Sequence, residues 1–259
     1  MSDAPQPRAT FQRLTDAPDG PTTLVEGLPG HGLVAAIAVD LITRQLDLEH
    51  HGTITSEAFP RVASFSEGRV RDPVRVYAGE SPPVMTLQSD VAFPDWSFDA
   101  LTDGVVHGVG EDVDRMILLV GAPAESQAQV GEVSGIATTD DIAADLASAG
   151  VAVSAGDGLV GGATGALLAE CYHADVPAAA LVVRANPYIP DPRAAQAVIE
   201  GALEPLVDFD IDTGELAREA DAIEERLQQM AEQYRQAEAA SEDAGRAQAR
   251  PSGMPSMYQ

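Results

Sequence analysis

The sequence predicts an α/β protein: a mostly parallel sheet flanked by helices, then a heptad helix and a flexible tail. Three observations predict it. Between residues 21 and 210, short apolar runs alternate with segments of helical period, as in strands joined by crossover helices. Arg115–Ala122, "RMILLVGA", is apolar almost without alternation, as in a strand covered on both faces. From Leu216 onward the apolar residues switch to heptad spacing.

Each element follows from local chemistry. Residues 1–20 are polar and proline-bearing, and read as a flexible lead-in. Thr22–Gly27 reads as a buried strand, and Leu33–Leu46 as an apolar helix after the turn "GLPGHG". "HGTITS" is a second strand; "PVRVYAG" and "PPVMTLQSD" form a strand pair. "SFDALTDGVVHGV" reads as a helix, and Pro123–Thr138 as a loop. The next helix is capped by Thr139, carries Asp140 and Asp141 in its first turn, and stops at Gly150. "VAVSAGDG" reads as strand and turn, "GGATGALLAECYHA" as a helix, and "AAALVVRA" as a buried strand. Asp191-Pro192 opens a helix whose Ala195, Val198, Ile199, Ala202 and Leu203 share one face.

The seam Leu216, Ala220, Ile223, Leu227, Met230, Tyr234 and Ala237 is spaced 4, 3, 4, 3, 4, 3. It fits a helix laid on its own domain, or one pairing in an oligomer through Leu216, Ile223, Leu227, Met230 and Tyr234. The organisation expected is lead-in 1–20, α/β domain 21–210, heptad helix 211–245 and tail 246–259. Gly, Pro and Ser deny the tail a core.

Composition narrows the function classes. Fifteen basic residues, all arginine, face 41 acidic ones, a net charge of −26. A lysine-free acidic surface reads as adaptation to molar salt, where carboxylates keep water bound. With no basic stripe, neither nucleic acid nor an anionic membrane is the expected partner. One cysteine, Cys171, excludes an internal disulfide and reads as a core thiol. No secretory h-region and no run of about 20 apolar residues appear, so a cytoplasmic location is expected.

Few constellations suggest catalysis. "GDGLVG" (Gly156, Gly158, Gly161) has the G-x-G-x-x-G spacing of a dinucleotide site, with Asp175 downstream for a ribose. The same glycines also suit close packing of a helix on the sheet. "GLPGHG" (Gly27, Gly30, His31, Gly32) pairs glycines with a helix N-terminus but lacks the Lys-Ser/Thr of a phosphate loop. Glu26 and His31 flank it as a possible acid/base pair or a surface pair. His50 and His51 read as surface residues pointing apart on a strand. No histidine or cysteine spacing fits a metal, so neither metal nor cofactor is expected. Arg61, Arg69, Arg71 and Arg75 cluster within fifteen positions, either for a partner or for ion pairs with acidic neighbours.

The chain ends "MYQ": an adaptable apolar residue, a rigid ring with a polar tip, and a carboxylate. This resembles the hydrophobic–tyrosine–any terminus of proteins that dock on the proteasome core. There the terminus enters pockets between α-subunits, a pocket lysine meets the carboxylate, and docking can open the gate. The resemblance implies that Met257, Tyr258 and Gln259 form such a plug.

The body separately resembles the archaeal proteasome assembly chaperone family, the type related to the second eukaryotic assembly chaperone. The residues that carry this are "LVEGLPGHGLVAAIAVDLI", "SEAFPRVASFSEGRVRDPVRVY", "GLVGGATGALLAECYHADVPAAALVV" and "PDPRAAQAVI", within Leu24–Ile199. The resemblance implies a fold like the nucleoside phosphorylases without their catalytic residues, a homo-oligomer, and a role in building or capping the proteasome. The expectation is a non-catalytic assembly chaperone or activator-like adaptor on the proteasome α-ring. The alternative is a nucleoside or nucleotide enzyme or binding protein using the glycine-lined crevice.

Overall fold

The computed structural model describes residues 9–226 and Gln229. Its strands are β1 (Thr10–Arg13), β2 (Thr23–Gly27), β3 (Glu49–Thr55), β4 (Ser64–Ser66), β5 (Arg69–Arg71), β6 (Val74–Glu80), β7 (Pro83–Ser89), β8 (Arg115–Pro123), β9 (Val133–Ala137) and β10 (Ala178–Ala185). Its helices are α1 (Val34–Gln45), α2 (Phe98–Thr102), α3 (Asp140–Ser148), α4 (Gly162–His173), α5 (Pro192–Val198) and α6 (Glu204–Val207). Residues 214–226 are also helical. The chain divides into two units, Met1–Ala217 and Arg218–Gln259; sheet and cores belong to the first.

Eight strands form one sheet in the order β1-β3-β6-β7-β2-β8-β10-β9, while β4 and β5 make a separate ribbon. The central strands run parallel, with β2 beside β7 and β8, and β8 beside β10. The margins are antiparallel: β1 on β3, β3 on β6, β6 on β7, and β9 on β10. The expected α/β class holds, with parallel pairing confined to the middle.

The unbroken apolarity of β8 has the expected cause. Met116 and Leu118 enter the core beneath α2 and α4, with Leu101, Leu167 and Cys171. Ile117 and Leu119 enter the opposite core, with Leu41 of α1, Leu146 of α3 and Val198 of α5. Each fully buried side chain of this kind contributes roughly 1.5–3 kcal/mol. Cys171 is a core thiol, with Sγ 3.7 Å from Met116 Sδ and its pKa pushed up by burial to about 11.

Local signals set the helix starts. The Thr139 hydroxyl accepts the Ile142 N–H, and Asp191 accepts the Ala194 N–H with Pro192 in the first turn. Ala195, Val198, Ile199, Ala202 and Leu203 are all fully buried.

Four segments differ from expectation. Thr10–Arg13, read as lead-in, is the edge strand β1. Phe11 sits against Gly52, where a Cβ would come within 2.5 Å of its ring. A four-residue strand without alternation leaves no periodic signal. Residues 133–137, read as loop, form β9, which pairs with β10; its Gly135 makes room for Leu146. "VAVSAGDG" forms only an isolated bridge, Val153 to Gly135. The helix expected over 97–109 is divided into 3-10, α, π and 3-10 turns between Asp95 and Asp112, consistent with Gly104, Gly108 and Gly110 in that stretch.

His51 is a further correction: it is fully buried rather than on the surface. A bulge between His50 and Gly52 turns it inward, and Phe11 of β1 covers it at 5.7 Å between rings. Its Nδ1 lies 2.8 Å from Thr15 Oγ1, and its Nε2, 3.9 Å from Asp112 Oδ2, has no hydrogen-bond partner among the described residues. Burial lowers its pKa, while Asp112 pulls the other way.

Candidate functional site

A cleft of about 1300 Å³ opens at the carboxyl ends of the parallel strands. From β2 the chain moves to β3 on one side of the sheet; from β8 it moves to β9 and β10 on the other. Strands that leave in opposite directions leave a crevice, where ligands of open α/β sheets commonly sit. Gly30 and His31 form one wall, Gly121 of β8 the floor, and Gly156, Gly158 and Gly161 the opposite wall.

The two glycine-rich stretches therefore meet at one cleft, although more than 120 residues separate Gly30 from Gly156. Gly32 lines a neighbouring hollow of about 450 Å³ with Gly30, His31 and Tyr188. Gly27 is not in the lining of either cavity. Its role is packing, since a Cβ there would lie 2.7 Å from Val39 Cβ.

Glu26 lies where β2 and β8 part. The last ladder pair is Glu26 with Leu118, and beyond it the side chain takes over. Its Oε1 accepts the Leu28 N–H at 2.7 Å, and its Oε2 accepts the Leu119 N–H at 3.1 Å. Thr164, in the first turn of α4, donates to Oε1 at 3.5 Å. Burial raises its pKa from 4.5 to about 8, against these bonds, which favour the ionised form. The carboxyl thus ties β2, β8 and α4 together beneath the cleft. Among the described residues no hydrogen bond joins Glu26 to His31.

The dinucleotide arrangement is not met. Gly156–Gly161 forms no strand-to-helix turn, because no strand precedes it directly. Asp175 lies past the far end of α4, a twelve-residue helix and hence about 18 Å long. Nor do Gly156, Gly158 and Gly161 serve close packing: a Cβ on each would meet nothing within 4 Å. Close packing falls to Gly165, whose Cβ would lie 2.2 Å from the Val160 carbonyl oxygen. That glycine lies inside the helix and outside the motif.

The arginine cluster resolves in part into ion pairs. Arg75 Nη1 and Arg71 Nη2 meet Asp90 at 2.7 and 3.1 Å. Burial alone would raise the Asp90 pKa, but bonds from Arg75 and Ser64, with the charges of Arg75 and Arg71, hold it below the ordinary value. Among the described residues no group of His, Cys, Asp and Glu could hold a metal, and no helix is long and apolar enough to cross a membrane.

Leu216, the first heptad position, is buried in the core beneath α1 and α5. Ile223 lies in the second unit. Leu227, Met230 and Tyr234, and the terminal Met257, Tyr258 and Gln259, lie outside the described residues.

The fold and its switch-point cleft define a class: a mixed α/β sheet covered on both faces, with glycine-rich turns at its carboxyl edge. Within it, the chain belongs to the PAC2 family, whose model matches residues 24–231. An uncharacterised protein of Methanocaldococcus jannaschii is 27% identical over 212 residues, covering 82% of this chain and 86% of that protein. The crystal structure of Pyrococcus furiosus PbaA, an archaeal homologue of proteasome-assembly chaperone, matches with a TM-score of 0.78 and 26% identity, over 93% of this chain and 99% of PbaA. Pyrococcus furiosus PbaB, an archaeal proteasome activator, shares the fold with a TM-score of 0.74 and 21% identity, over 86% of this chain and 99% of PbaB.

Proposed function

We propose that the protein is a non-catalytic proteasome assembly chaperone or activator-like adaptor, working as a homo-oligomer. The observation that carries this is the match to PbaA in sequence and fold over 93% of the chain. We further assign docking to Met257, Tyr258 and Gln259, entering pockets on the α-ring of the proteasome core. The acidic, lysine-free composition supports a setting in molar salt. There the Debye length falls to about 3 Å and repulsion between acidic partners is screened. Burial of Met257 and Tyr258 then carries the affinity. Several tails on one oligomer raise one another's effective concentration, a role for the seam of Leu216, Ile223, Leu227, Met230 and Tyr234.

The test mixes the full chain with its matching proteasome core in high salt, wild type against Tyr258→Ala. Losing a buried ring removes roughly 1.5–3 kcal/mol per tail, so binding should weaken at least about tenfold. Faster peptide hydrolysis with wild type identifies an activator; binding without acceleration identifies a builder. Equal binding by both proteins overturns the plug.

The cleft supports a second reading, a nucleoside- or nucleotide-binding protein, because it occupies the switch point with a ligand-sized volume. Nucleoside or nucleotide should then raise the melting temperature. No shift at millimolar ligand removes this reading.

A further inference from the structure

The ribbon of β4 and β5 is built with its apolar side turned away from the protein. Its strands pair Ser64 with Arg71, Phe65 with Val70, and Ser66 with Arg69. Side chains alternate across a strand, so Phe65 and Val70 share one face, and the serines and arginines share the other. The polar face leans on the body: Ser64 and Arg71 both bond Asp90, which Arg75 holds in turn. The opposite face therefore points outward, leaving Phe65 and Val70 72% and 78% exposed. Val62, just before the ribbon, is 56% exposed. An ordinary surface hairpin has the reverse polarity.

The arm is also pre-organised. Glu67 and Gly68 at its tip both have positive φ, the geometry of a tight two-residue turn that sets register. At its root Phe59 packs edge-on against Phe93, with ring centroids 5.0 Å apart. A three-residue ribbon is marginal alone; these anchors hold it ready and lower the entropy cost of binding.

Charge identifies the occupant. Residues 61–71 carry three arginines and one glutamate, +2, in a chain of net −26. Among the described residues Arg61 and Arg69 enter no ion pair, while Arg71 is held by Asp90. The arm is thus a basic, apolar projection on an acidic protein, and another copy of the chain supplies the complementary acidic surface. Arm against arm would oppose the two Arg69 side chains. Arm against body joins unlike surfaces, a head-to-tail contact of the kind that closes into rings.

We propose that the arm, Arg61–Arg71, is the contact by which one copy of this chain grips the acidic body of a second copy. This deepens the homo-oligomer part of the function proposed above and is independent of docking on the proteasome. The test is the solution mass of the full chain, by sedimentation or light scattering over a concentration series in low and high salt. The comparison is wild type, the double variant Phe65→Ser/Val70→Ser, and Arg69→Glu. These side chains are exposed in a single copy, and an unchanged melt of the dissociated chain checks that the variants fold. Wild type should be multimeric, and the double variant should dissociate at a concentration at least about tenfold higher. Arg69→Glu should do the same in low salt and lose its effect in high salt. A monomeric wild type overturns the proposal, as does a double variant that keeps the wild-type mass. If the variant keeps its mass but loses the proteasome core, the arm's occupant is the core and the proposal also falls.

Discussion

The two glycine-rich stretches at the cleft look alike in sequence and behave differently in the structure. "GLPGHG" is wedged. Gly27 has Val39 Cβ 2.7 Å from where its own Cβ would be, and Gly32 has positive φ with Ala185 at 3.0 Å. His31, between them, lies so close over β8 that a Cβ on Gly121 would come within 2.2 Å of its carbonyl oxygen. "GDGLVGG" is open: Gly156, Gly158, Gly161 and Gly162 meet nothing, and Leu159 at the tip is fully exposed. The glycines of one wall are set by packing, whereas those of the other have open space around them, Gly162 alone among them having a positive φ. A glycine spacing therefore names a turn but not its reason.

The largest effect expected from this contrast is at Gly121, which admits the rigid wall. A methyl there meets backbone rather than a side chain that can move aside. Gly121→Ala should cost at least the roughly 1–3 kcal/mol of an overpacked core. Denaturant unfolding would measure it, and a loss below about 0.5 kcal/mol would break the distinction between the walls. Nucleotide-induced stabilisation, if wild type shows any, should disappear with it, because His31 would be displaced.

A smaller, pH-dependent effect belongs to Glu26, beneath both walls. Its folded-state pKa of about 8 exceeds the unfolded value of 4.5. Between these values the folded protein holds a proton that the unfolded chain has released, so stability falls as pH rises from about 4.5 to 8. The contribution of this carboxyl is fully present below 4.5 and its loss levels off above 8. Glu26→Gln removes the slope. It also turns an amide N–H₂ toward a backbone donor, Leu28 or Leu119, costing roughly 1–3 kcal/mol at low pH. The two stability curves should therefore converge as pH rises. Parallel curves from pH 5 to 8 would show that Glu26 is ionised in the folded protein.

Legibility in the sequence followed range of interaction. Helix starts at Thr139 and Asp191 were legible because a cap and the N–H it accepts lie within three residues. Central strands such as β8 were legible because burial on both faces writes itself as continuous apolarity. The edge strands β1 and β9 were not, since their pairing depends on Gly52, Gly135 and partners distant in sequence. The same limit hid the site. The sequence marks Glu26 only as a flank of the glycine turn, opposite His31; the divergence of β2 from β8 gives it a different task, holding Leu28 and Leu119. His51 went inward through a bulge that no periodicity announces. The arm had one visible sign, basic residues crowded together in an acidic chain. The outward turn of Phe65 and Val70 needed the contact to Asp90.

The smallest expected effect tests the open wall. Gly158 does not require positive φ, and a Cβ there touches nothing. Gly158→Ala restricts the unfolded chain without straining the folded one, so it should be neutral or stabilise by about 0.4–1 kcal/mol. Its value lies in combination with a binding measurement. If the loop matters only as a tether between α3 and α4, stability and every activity survive the change. If its bare backbone meets a ligand or partner, stability survives and binding falls. A glycine kept where neither packing nor dihedral angle demands it is then a glycine kept for approach from outside. Gly158→Ala with unaltered binding to nucleotide and proteasome core alike would remove that explanation and leave loop entropy as the remaining one.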